Sequence, residues 1–125
     1  MIEILNGNYN IGIEQLIKCL KAVPDDPMVP ITNSVIAIGL LILGKNEKAL
    51  IFAKEGNELS PLLPICAVVY AAAASDNPKL TDSDNFKNMV SQLDLRTSII
   101  KNLPFTRAED AELITSRLRA AGVPD

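Results

Sequence analysis

The chain has no histidine and no tryptophan, and its two Tyr and three Phe make up only 4% of its 125 positions. An apolar core must therefore be built from Ile, Leu, Val and Ala. Without His, and with Cys19 and Cys66 single and far apart, the inventory argues against a zinc site. Both cysteines read as small, buried packing residues. There is no basic cluster. With a net charge of −3 this argues against a grip on a phosphate backbone. The longest apolar runs, Val35–Leu43 and Ile65–Ala74, fall far short of the roughly 20 residues needed to cross a bilayer. Glu3, Asn6 and Asn8 interrupt any signal-peptide layout, so the expected location is cytoplasmic. It would be periplasmic or membrane-tethered if an upstream part carried a transmembrane helix. No Gly-rich phosphate loop and no Ser/His/Asp set is present, and nothing calls for a cofactor. Glu55 with Glu58, and Glu109 with Asp110 and Glu112, read as solvated helix faces rather than acid–base pairs. The segment is expected to be non-enzymatic.

What the chain does have is a repeated phrase. Gly44 to Pro61, GKNEKALIFAKEGNELSP, echoes Gly7 to Pro24, GNYNIGIEQLIKCLKAVP, at a spacing of 37 residues. In both, a Gly opens an amphipathic helix, small residues recur at helical spacing, and a Pro closes it. A helix–turn–helix repeat of this length points to a solenoid. Hydrophobic residues at 48% and charged residues at 22% support a packed domain of this length.

In chain order, residues 1–6 read as the end of a first helix too short to stand alone, so the chain reads as a fragment of a longer protein. Asn8–Ala22 carries Ile13, Leu16, Ile17 and Leu20 on one helical face. Pro24-Asp25-Asp26-Pro27 is a stiff linker. Residues 31–43 are apolar apart from Thr32, Asn33 and Ser34, and they predict a buried helix, with Pro30 in its first turn. Their Val and Ile content also suits a strand, but register with the first repeat demands a helix. Asn46–Leu59 is the next helix. Ser60-Pro61 reads as the N-cap and first residue of a helix over Leu62–Ser75. Asn77-Pro78 ends that helix, and Asp82 is placed to cap another bearing Phe86, Met89, Val90 and Leu93. Residues 95–103 suggest a short helix or turn halted by Pro104. Thr106 and Glu109 form a capping box for a last helix to about Ala121, closed by Gly122 in the left-handed conformation and by Pro124.

These phrases resemble tetratricopeptide repeats. Gly7, Tyr9, Gly12, Leu16, Cys19 and Pro24 follow that pattern in the first unit, and Ala37, Leu40, Gly44, Ala49, Ala53, Gly56 and Pro61 in the second. Gly12 and Cys19 replace the usual alanines, and Asn46 replaces the aromatic of the second unit. The third keeps Ala71 but lacks the Gly turn. The resemblance implies an all-α, helix-pair solenoid of about three repeats with a C-terminal capping helix, a single domain over 1–125. Its parts are a partial repeat 1 over 1–23, repeat 2 over 30–60, a degenerate repeat 3 over 61–93, and a closing segment over 95–125. Residues 92–125 are similar to segments ending tetratricopeptide arrays in bacterial winged-helix transcriptional regulators and class III adenylate cyclases, where Leu118, Arg119, Ala121, Gly122, Val123, Pro124 and Asp125 match a Leu-Arg-x-Ala-Gly-[Leu/Val]-Pro-[Glu/Asp] ending.

The resemblance implies a protein-interaction or oligomerisation module. The expected host is a transcriptional regulator; the alternatives are a cyclase and a free-standing scaffold. By register, the groove-facing positions are Ile31, Ser34, Ile38, Leu41, Ile65, Val68 and Ala72. None is basic, so the carboxylate clamp of chaperone-binding relatives does not carry over. An apolar groove calls for a hydrophobic peptide, a second protomer or part of the same chain. Ala111, Ile114, Leu118 and Ala121 form one stripe of the last helix, with Leu113 beside it. Residues 106–121 are therefore expected to cap the array or to exchange into a dimer.

Overall fold

The computed structural model describes residues 8–103 and 107–125, without the side chain of Asn102. Every regular element among them is helical, and none is a strand. In order these are α1 (Tyr9–Ala22), α2 (Val29–Ile42), α3 (Asn46–Leu59), α4 (Pro64–Ala74), α5 (Pro78–Thr81), α6 (Asp84–Gln92), a 3-10 helix η1 (Thr97–Asn102) and α7 (Ala108–Ala120). None of the described helices is long and apolar enough to cross a membrane.

The repeated phrase folds into repeated geometry. α1 and α3 each have 14 residues. Their preceding residues, Asn8 and Lys45, share φ −90° with ψ 60° and 65°. Their closing residues, Val23 and Ser60, share ψ 73° with φ −135° and −140°.

Between them lies α2, buried from Asn33 to Leu41. Its apolar circumference is met by α3, α1, α4 and α7, so the Val- and Ile-rich run is a helix shielded on several sides rather than a strand. Its two buried polar residues bond within the helix: Asn33 Nδ2 donates to Val29 O at 3.1 Å, and Ser34 Oγ to Pro30 O at 3.0 Å. α2 ends in a Schellman turn at Gly44 (φ +78°), where the Lys45 N–H donates to Leu40 O at 2.8 Å. Asp94 (φ +49°) closes α6 in the same way, with the Leu95 N–H on Val90 O at 3.0 Å. The turn after α6 thus uses a left-handed Asp where the turn after α2 uses Gly.

Four expectations need correction. α4 begins at Pro64 and not at Pro61. The residue before a proline is driven out of the helical region, and Leu63 sits at φ −86°, ψ 113°, so no helix passes through it. Pro78 opens the short α5 instead of only ending α4. Ser83, not Asp82, caps α6: its Oγ accepts the Phe86 N–H at 3.2 Å and donates to Leu80 O at 2.7 Å. Cys66 is buried, but Cys19 is exposed. Gly56, its counterpart in the repeat, is buried against α2. Pro104, Phe105 and Thr106 lie outside the described residues, and with them the turn and capping box expected there.

The small residues do what their spacing implies. Ala37, Ala49, Ala53 and Ala71 are wholly buried where helices meet. α4 packs on α3, α2 and α7, and α7 packs on α4, η1 and α2. One core cluster runs from Tyr9 to Val123.

Candidate functional site

Expectation placed seven residues on a groove. The structure closes that surface. Ser34, Ile38, Leu41, Val68 and Ala72 are buried, and only Ile31 and Ile65 remain half-buried. Ser34 is not a groove residue at all. Its Oγ lies 3.0 Å from where a Cβ on Gly56 would stand, which places it on the α2–α3 contact. From α4, the Cys66 thiol donates to the same Pro30 carbonyl at 3.6 Å. Burial pushes the Cys66 thiol above its ordinary pKa, and the Ser34 hydroxyl partly offsets this, so the thiol is an inert packing group.

α7 is seated on α4 and α2. Ile114 and Leu118 are fully buried, Ala121 is buried beyond the helix end, Ala111 is partly covered and Leu113 is exposed. Two polar anchors accompany this stripe. Near the start of α7, the Tyr9 hydroxyl of α1 donates to Asp110 Oδ2. Both residues are buried, and burial followed by this carboxylate drives the Tyr9 pKa well above the usual phenol value. Towards the other end, Arg117 Nε donates to Ala72 O at 2.9 Å and its Nη2 pairs with Asp76 Oδ2 at 2.9 Å. Asn46 Nδ2 also donates to Asp76 Oδ2, at 3.2 Å, linking α3 to the anchor. A cation at the carbonyl end of α4 is favoured by the helix dipole.

The tail completes the seat. A Schellman turn at Gly122 (φ +91°) joins the Val123 N–H to Leu118 O at 3.0 Å and buries Val123. The Thr97 N–H then donates to Pro124 O at 2.9 Å, and Thr97 Oγ1 to Asp125 Oδ1 at 2.7 Å. Arg119 Nε reaches the same carboxylate oxygen at 2.9 Å. The Thr97 hydroxyl first, and Arg119 next, hold the Asp125 carboxyl below its ordinary pKa. The residues that suggested a family ending thus form a clasp between the tail and η1.

Asp110 corrects the expectation of a solvated acidic face, since it is buried on Tyr9. Neither anchor was foreseen, although a signal existed: Asp110, Ile114, Arg117 and Leu118 share one helical face, so two charges interrupt an apolar stripe. Elsewhere, an open cleft of about 1030 Å³ lies between Gly44–Leu50 and Asp76–Lys79, with Lys45, Lys48 and Lys79 beside Glu47 and Asp76. Among the described residues no group of three or more His, Cys, Asp or Glu could hold a metal ion. Comparison with protein-family models, with curated proteins and with solved structures finds no match to this chain.

Proposed function

We propose that the chain is a non-catalytic protein-interaction and oligomerisation module: a tetratricopeptide-like helix-pair array of about three repeats, closed by a C-terminal helix. In this reading it is the regulatory C-terminal region of a bacterial transcriptional regulator, and it relays partner or effector binding to a DNA-binding domain encoded upstream. The observation that carries the proposal is the recurrence, 37 residues apart, of a 14-residue helix with matching entry and exit dihedrals. The tail clasp supports it by giving each named residue of the Leu-Arg-x-Ala-Gly-Val-Pro-Asp ending a packing or hydrogen-bonding task.

The test is the coding sequence on the 5′ side of Met1. A winged-helix pattern there supports the reading. A cyclase domain contradicts the regulator assignment and leaves the module. A frame closed immediately upstream contradicts both and leaves a free-standing scaffold.

A further inference from the structure

α7 is attached differently from α2 and α4. Those helices bury residues through most of their length, whereas α7 buries only Asp110, Ile114 and Leu118 of its 13 residues. Polar contacts at both ends, and the tail that buries Ala121 and Val123 and clasps η1, supply the rest of its seat. Asp110 meets a phenol of α1, and Arg117 meets the carbonyl end of α4 together with Asp76. The four side chains stand at i, i+4, i+7 and i+8, a single helical face.

An Ile–Leu pair alone would tolerate sliding by a turn, or reversal, on an aliphatic surface. The anchors forbid both. A one-turn slip would strip Asp110 of its buried donor and take Arg117 off the Ala72 carbonyl, leaving buried polar groups unpaired. Reversal would bring Arg117 to the phenol and Asp110 to Asp76, a cation without an acceptor carboxylate and an acid facing an acid. The surface formed by α1, α2 and α4 therefore reads a helix by sequence, direction and register.

Resting on the interaction-module reading, we propose that α7 is a resident, displaceable occupant of this surface, and that the surface receives a partner helix presenting Asp, Ile, Arg and Leu at the same spacing. The partner takes over the Tyr9 hydroxyl, the Ala72 carbonyl and Asp76 when α7 leaves. While α7 is bound, the partner's apparent affinity is reduced by the fraction of molecules in which the surface is free. The contact is thus autoinhibitory.

The experiment uses the full chain. Asp110→Asn with Arg117→Gln weakens the resident helix and leaves every receiving group in place. The probe is a fluorescein-labelled synthetic peptide of residues 107–125, followed by anisotropy. The double variant is expected to bind it about tenfold or more tightly than the unaltered chain. A peptide carrying the same two substitutions is expected to lose that gain. Equal binding to both chains, or to neither, overturns the proposal. So does a double variant that has lost its cooperative helical melt, which would make α7 an inseparable part of the core. A variant that dimerises by light scattering and excludes the peptide assigns the surface to the α7 of a second copy, and that also overturns it. The upstream coding sequence is untouched by any of these outcomes, so this proposal and the module reading fail separately.

Discussion

A Cβ at Gly56 would stand 2.8 Å from the Pro30 carbonyl oxygen and 3.0 Å from Ser34 Oγ. Backbone cannot yield as a flexible side chain does, so Gly56→Ala is expected to lower the melting temperature. The gain in helix propensity, about 1 kcal/mol, is outweighed by an overpacking cost of about 1–3 kcal/mol. The opposite sign would mean that α2 and α3 lie further apart than described. Tyr9 and Asp110 are expected to behave as a coupled pair. Tyr9→Phe leaves a buried carboxylate without its donor, at a cost of about 1–3 kcal/mol, whereas adding Asp110→Ala costs less than the sum of the two single changes, which a double-mutant cycle by urea denaturation measures. Additive energies would show that the two side chains do not meet. Asp125 gives a pH dependence. Its carboxyl titrates below the ordinary value in the folded chain, so its contribution is complete above the unfolded pKa and is lost as pH falls through the folded one. Protection of the Thr97 amide is therefore expected to decline on acidification into the carboxylate range, and Asp125→Asn to abolish that decline. At this scale the sequence was only partly readable. Small residues at helical spacing showed where helices approach. A serine on an apolar helix carried no mark telling a groove from a helix contact, and Ser34 is on the contact.

At the scale of elements, α3 was legible to its ends, because Gly44 and Pro61 bracket it and both act locally. α4 was misplaced because two prolines, Pro61 and Pro64, compete for its start, and only the backbone of Leu63 decides between them. α7 was legible as a stripe, but its anchors were not, since Tyr9 and Asp110 are 101 residues apart and nothing local pairs them. The stripe itself yields a prediction. Leu118 is fully buried. Burying one such side chain is worth roughly 1.5–3 kcal/mol, and a carboxylate in its place would have no partner among α2 and α4 side chains that are mostly apolar. Leu118→Asp is expected to release α7, with a loss of helical circular dichroism limited to that segment and binding of a hydrophobic dye to the uncovered face. An unchanged spectrum without dye binding would show that α7 does not cover that face.

For the whole molecule, helix content and a single core follow from composition and period, and they are present among the described residues. What the molecule engages does not follow from them, because that depends on whether its apolar faces are open or filled. The face expected to be covered by residues 106–121 or by a partner is met by the chain's own C-terminal helix, which packs on α4 and α2. With a net charge of −3 and no basic stripe, the isolated chain is expected not to bind duplex DNA at physiological salt. Micromolar, salt-sensitive binding in a fluorescence titration would contradict this. The account turns on α7 being a seated helix of lower local stability than the helices beneath it, since a surface that reads helices must be able to release one. Native-state hydrogen exchange, resolved by residue, tests this most directly. The account predicts that amides from Ala111 to Leu118 exchange through an opening of lower free energy than those of α2 and α4, yet more slowly than the same residues as a free peptide. Exchange of α7 at the global unfolding free energy, together with α2 and α4, would contradict it.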